Sequence, residues 1–143
     1  MPRVLVADDD VDFLDAVTLA AEYVDLEVVR ATTGDELLAA LADDGPFDAI
    51  LTDIAMPWMT GLHVIHSARR SGWRQPVIMM SGFYDPVILG QVAELGEHVS
   101  FLLKPFTLRE LYTALRAALR PAPAVEKPMP LALQAIRVRA TVL

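Results

Sequence analysis

Short apolar runs alternate along the chain with longer stretches in which apolar residues recur every three or four positions. Val4-Leu5-Val6, Ala49-Ile50-Leu51 and Val77-Ile78-Met79-Met80 are apolar throughout, as strands covered on both faces must be. With two weaker runs they predict strands at about 3–7, 26–31, 48–52, 76–80 and 99–103. The intervening stretches read as helices. The first, about 10–24, carries Phe13, Val17, Ala20 and Val24 on one stripe. The second, about 34–43, carries Leu37, Leu38 and Leu41, with Thr33 as N-cap and Glu36 at the capping-box position. Helices at about 60–71 and 85–95 follow, and the fifth, about 107–120, has Thr107 as N-cap, Glu110 three residues on, and Leu108, Leu111, Leu115 and Leu119 facing inward. Strand and helix in strict alternation predict an α/β domain wound around a five-stranded parallel sheet.

Beyond Arg120 the pattern changes. Pro121, Pro123, Pro128 and Pro130 break any helix, so 121–130 reads as an extended linker. Ile136, Val138, Ala140 and Val142 then alternate with Arg137, Arg139 and Thr141, a strand pattern, although Leu131, Ala135, Val138 and Val142 also fit a helix. The expected organisation is a domain over 1–120, followed by a Pro-rich linker and short tail over 121–143, too short for a second domain.

Composition narrows the class. Of 143 residues, 54% are hydrophobic, too many for a disordered chain. No apolar run approaches the roughly 18 residues of a membrane span, and Met1-Pro2-Arg3 leads directly into a strand, so a cytoplasmic protein is expected. The lack of cysteine excludes disulfides and thiolate metal sites. A net charge of −7 argues against nucleic-acid binding by this chain, though not by a partner or a downstream domain.

The chemistry collects at the strand ends. Asp53 closes Ile50-Leu51-Thr52 and is followed by Ile54-Ala55-Met56-Pro57, which no strand interior would tolerate. Asp8-Asp9 follow the first strand, Ser81 the fourth and Lys104 the fifth. Open parallel sheets place their sites outside these carboxyl ends. Asp9 and Asp53 offer two carboxylates to a hard cation, Mg²⁺ or Mn²⁺, and Asp8 can hold one of its waters. Without a cation, three crowded carboxylates would repel one another. An ionised Asp53 could accept a phosphoryl group as an acyl phosphate, while Lys104 offsets charge and Ser81 donates a hydrogen bond. His63 and His66 share a polar helix face with Arg70, the solvated arrangement rather than a metal pair.

Val4-Leu5-Val6-Ala7-Asp8-Asp9-Asp10, Ile50-Leu51-Thr52-Asp53-Ile54-Ala55-Met56-Pro57, Ile78-Met79-Met80-Ser81-Gly82 and Phe101-Leu102-Leu103-Lys104-Pro105-Phe106 stand in order, each at a strand end. With these pieces, residues 3–120 resemble the CheY-like receiver domain of two-component response regulators. One departure is Thr60 before Gly61, where the family has aspartate. The resemblance implies a flavodoxin-like strand order 2-1-3-4-5 with helices on both faces. It implies a signalling switch, not an enzyme, apart from Mg²⁺-dependent self-phosphorylation from small donors and autodephosphorylation. Asp53 would take its phosphoryl group from a sensor histidine kinase or a phosphotransfer protein. Asp9, Asp53 and the backbone carbonyl of Ala55 would ligate the metal directly, and Asp8 through water. Ser81 would be drawn inward and the ring of Phe101 would rotate, changing the face of the fourth helix, fifth strand and fifth helix, a face that also suits a homodimer. Val11 and Leu14, taken to lie off the inward stripe, and Pro105 and Phe106 are candidate kinase contacts.

Three rivals compete. A phosphatase of the haloacid dehalogenase type needs an acid two residues after its nucleophile, where Ala55 stands. A flavodoxin-like flavin binder needs a phosphate-cradling loop where Asp8-Asp9-Asp10 would repel phosphate. The remaining alternative is a receiver-like interaction module that acts without phosphorylation.

Overall fold

The computed structural model describes residues 1–119 and 137–138. Five strands, β1 (Arg3–Ala7), β2 (Glu27–Ala31), β3 (Ala49–Asp53), β4 (Val77–Ser81) and β5 (Val99–Leu103), form one parallel sheet in the order β2-β1-β3-β4-β5. They alternate with α1 (Val11–Tyr23), α2 (Gly34–Asp43), α3 (Gly61–Arg70), α4 (Pro86–Ala93) and α5 (Leu108–Ala118). A two-residue strand, β6 (Phe106–Thr107), pairs antiparallel with β7 (Arg137–Val138). Only those two residues of the expected tail strand, and none of the expected 121–130 linker, lie within the described residues.

Alternation along each central strand divides the core in two. Val4 and Val6 of β1, and Ile78 and Met80 of β4, pack with α1 and α5; Leu5 and Ala7, and Val77 and Met79, pack with α2 and α3. Apolar runs with no polar face were the sign of such two-sided cover. Each fully buried aliphatic side chain contributes about 1.5–3 kcal/mol.

The helices start on side-chain caps. Asp10, Thr33, Thr60, Asp85 and Thr107 each accept a hydrogen bond from a backbone N–H in the first turn of the helix that follows. Glu36, expected to close a capping box on Thr33, instead accepts from the Thr32 N–H and hydroxyl.

One expectation on α1 is corrected. Its buried face comprises Phe13, Leu14, Val17, Ala20 and Ala21, so Leu14 is core rather than surface. A stripe at 13, 17, 20 and 24 is too narrow for a helix pressed between sheet and α5. The buried face of such a helix covers three to four positions in every two turns. Phe106 is likewise corrected from contact to core: it is fully buried, with its ring meeting the Phe13 ring edge-on at 5.6 Å. Neither can touch a partner in this fold.

Candidate functional site at the carboxyl edge of the sheet

Register brings the strand ends together. Ala7 pairs with Thr52, Asp53 with Met80 and Ser81 with Leu103, so Asp8, Asp53, Ser81 and Lys104 come off neighbouring strands at one edge. Lys104 is the hub. Its Nζ donates to Asp8 Oδ2 at 2.6 Å and to Asp53 Oδ2 at 2.7 Å, and lies 4.4 Å from the centre of the Phe13 ring. Asp8, Asp53 and Lys104 are 0%, 8% and 5% exposed, so this ion triad is shielded from solvent.

The second oxygens are also engaged. Asp8 Oδ1 accepts from the Asp10 N–H at 2.9 Å, and Asp53 Oδ1 accepts from the Ala55 N–H at 3.0 Å. Behind the site, the buried Thr52 hydroxyl donates to the Asp53 carbonyl at 3.0 Å. These bonds hold both carboxylates in one orientation before any ligand arrives.

The electrostatics are unbalanced towards negative charge. Burial pushes the Asp8 carboxyl above its ordinary value, and Lys104 only partly opposes this. Burial, with the charge of Asp8, also raises Asp9. Burial works against the Lys104 ammonium, but the charges and hydrogen bonds of Asp53 and Asp8 outweigh it and raise its pKa. One lysine therefore does not satisfy the acids around it.

A cation fits this deficit. Asp8, Asp9 and Asp53 can each present one carboxylate oxygen with all three within 4.8 Å of one another. An all-oxygen donor set is the chemistry that Mg²⁺ and Mn²⁺ prefer. Asp9 is half-buried and Ala55 is exposed, leaving room for a hydrated ion on the solvent side.

The other expected residues spread around this centre. Ser81 is half-buried, and its Oγ accepts from the Phe83 N–H at 3.1 Å; it caps no helix, that role falling to Asp85. Phe101 is half-buried against the α2–α3 side of the core. Val11 is 54% exposed, and Pro105, joined to Lys104 by a cis peptide, is also exposed. Thr52 and the Phe13 ring were missed as parts of the site. Thr52 reads as one polar residue in an apolar run, and Phe13 as one member of a helical stripe, so neither carried a separate signal.

The response regulator receiver domain family model matches residues 4–116. The transcriptional regulatory protein PrrA of Mycobacterium tuberculosis (strain ATCC 25618 / H37Rv) is 36% identical over 121 residues, covering 83% of this chain and 50% of PrrA. KdpE of the same strain is 34% identical over 121 residues, covering 84% of this chain and 52% of KdpE. The chain thus spans about half the length of these curated relatives. Among solved structures, the chemotaxis protein CheY4 of Vibrio cholerae superposes with a TM-score of 0.76 at 29% identity, covering 83% of this chain and 99% of that one. The signal receiver domain of the putative response regulator NarL from Mycobacterium tuberculosis gives 0.75 at 30% identity, covering 83% and 96%.

Proposed function

The chain belongs to the response regulator receiver domain family, and on that premise we propose that it is a phosphorylation-dependent switch whose phosphoacceptor is Asp53. The observation that carries this is the Lys104 ammonium bridging Asp8 and Asp53 in a buried, acid-rich cluster at the sheet's carboxyl edge. The donor is a phosphohistidine on a histidine kinase or a phosphotransfer protein. An Asp53 carboxylate oxygen forms a bond to phosphorus while the phosphorus–nitrogen bond to imidazole breaks; the electron pair and a proton end on the leaving imidazole.

The chain's own groups prepare this exchange. The Ala55 N–H and Lys104 Nζ fix the Asp53 carboxylate, so little orientational freedom is lost on reaction. Lys104 can follow the charge from the carboxylate to the phosphoryl oxygens. Asp8, Asp9, Asp53 and the Ala55 carbonyl would hold Mg²⁺, which when bound supplies positive charge to the transferring group.

Switching follows from what Ser81 must give up. Its Oγ accepts from Phe83, so turning toward a phosphoryl group costs that bond and frees the loop before α4. The half-buried Phe101 can then repack, changing a face on which Val87 of α4 and Leu103 of β5 are already exposed. That face is the proposed output surface and, in a homodimer, the contact between copies. Residues 1–120 form the receiver and 121–143 a linker and tail; what a longer polypeptide would do with the signal lies beyond this chain.

Incubation with acetyl phosphate and Mg²⁺ should add one phosphate, resolved on a phosphate-affinity gel. Asp53→Asn should abolish it. Undiminished labelling of that variant removes Asp53 as acceptor, and an unlabelled wild-type protein favours a module that works without phosphate.

A further inference from the structure

The segment 54–60 joins β3 to α3 and carries Ala55, two residues after Asp53. Ile54 and Met56 of this segment are buried in the core on the α2–α3 side, and the Ala55 N–H donates to Asp53 Oδ1 at 3.0 Å. Ile54 donates to the Met80 carbonyl at 2.9 Å and Met59 to the Pro57 carbonyl at 2.8 Å. Trp58 stands 94% exposed with a left-handed backbone, φ 71°, which a bulky side chain adopts only when its neighbours impose it.

Two glycines make close backbone contacts around this segment. A Cβ on Gly61 would lie 2.0 Å from the Asp53 carbonyl oxygen and 2.6 Å from Thr52 Oγ1, so α3 begins directly against the phosphoacceptor strand. Gly34 is less expected. It belongs to a different helix, and it lies in the first turn of α2 behind the Thr33 cap. Its φ is not among the positive ones, so glycine's conformational freedom gains nothing there, and alanine would favour the helix. What glycine supplies is space. A Cβ at 34 would lie 2.0 Å from the Met59 carbonyl oxygen, 2.6 Å from Met59 Cβ and 2.7 Å from its carbonyl carbon. The backbone of Met59 rests directly on Gly34.

We propose that Gly34 is a positioning residue for the cation site: by admitting the Met59 backbone against α2, it sets the 54–60 loop and, through it, the Ala55 carbonyl beside Asp53. The inference rests on the reading that Asp8, Asp9, Asp53 and Ala55 hold Mg²⁺. A side chain at 34 must drive the Met59 carbonyl from 2.0 Å to an ordinary contact of at least 3.4 Å. The obstacle is main chain, so no rotamer relieves it. Mg²⁺ demands near-ideal octahedral geometry with ligands at about 2.0–2.1 Å, so its affinity is sensitive to how each ligand is placed.

The experiment is Mg²⁺ titration by calorimetry of wild type, Gly34→Ala and Gly90→Ala, with urea unfolding of each metal-free protein. Gly90 is a helical glycine of α4 with nothing within 4 Å of an added Cβ. Gly34→Ala should bind Mg²⁺ about 10- to 100-fold more weakly, the range for residues that orient a metal's ligands. Gly90→Ala should bind as wild type does. A folded Gly34→Ala protein with wild-type affinity overturns the proposal. Wild-type ¹⁵N spectra test it even if that variant does not fold. The Gly34 and Met59 amide resonances should shift with the midpoint shown by Ala55 as Mg²⁺ is added. If both stay fixed at saturation while Ala55 moves, the proposal fails. A wild-type protein that takes up no Mg²⁺ removes the reading beneath the inference, and the inference with it.

Discussion

At the scale of single residues, the site is defined by an imbalance that two measurements can expose. Among the described residues, Lys104 is the cation in contact with Asp8 and Asp53, and all three are almost fully buried. Removing one partner from a buried ion cluster leaves uncompensated charge and costs about 3–5 kcal/mol. Lys104→Ala should therefore lower the metal-free unfolding free energy in urea by about that amount, and Mg²⁺ should recover part of it. The second measurement uses pH. Asp8 and Asp9 titrate above the ordinary carboxylate value of 3.8 in the fold, because of burial. Between that value and their raised ones, the folded protein binds more protons than the unfolded chain, so their contribution to stability falls as pH rises through the window. Mg²⁺ binds the ionised forms and reverses this. The gain in unfolding midpoint on adding Mg²⁺ should grow as pH rises from 4 toward neutrality, and Asp9→Asn should flatten that growth. A gain independent of pH would show that these carboxylates do not hold the ion.

At the scale of elements, α1 serves two surfaces at once. Phe13, Leu14, Val17, Ala20 and Ala21 face the core, and Asp10 caps the helix from a position next to the acidic pair. Val11 is left outside, at the end of α1 nearest the site. If a phosphodonor docks over this edge, Val11→Asp should slow transfer from the kinase and leave acetyl-phosphate labelling unchanged. Leu14→Ala should act differently. It should cost about 2–5 kcal/mol of stability, as deletion of a buried leucine does, whatever the phosphate source. Transfer kinetics beside urea unfolding separate the two. Equal loss from both donors in Val11→Asp would place that residue in folding rather than docking.

For the whole molecule, the two apolar clusters on either side of the sheet are built, among the described residues, from residues between Val4 and Leu119. The pairing of β7 with β6 adds a backbone ladder of two residues. A chain ended at Arg120 should therefore fold, showing the circular dichroism of an α/β protein and unfolding in a single transition. It should also accept phosphate at Asp53 at an unchanged rate. Loss of cooperative unfolding on truncation would place part of the core in the tail. Among the described residues no helix is long and apolar enough to cross a membrane.

The sequence by itself determined the five strands, the five helices and the residues at the strand ends. Those properties are local: apolar runs mark strands buried on both faces, a Thr cap marks where a helix starts, and an acid after such a run stands at its end. Strand order was legible because the motifs resemble a known family, whereas the grouping of Asp8, Asp53, Ser81 and Lys104 followed from their places at strand ends, where open parallel sheets keep their sites. Tertiary structure decided what depends on neighbours distant in sequence. It turned Leu14 and Phe106 inward, because α1 packs more deeply than a single stripe indicates and Phe106 fills the space beside Phe13. It also tied the Ser81 hydroxyl to the Phe83 N–H, leaving Asp85 to cap α4. It made Gly34 a seat for Met59, since a glycine in an ordinary helical turn reveals nothing until the backbone that rests on it is in place. The depth of a helix and the clearance over a Cα are distances between elements, and no local pattern of residues encodes them.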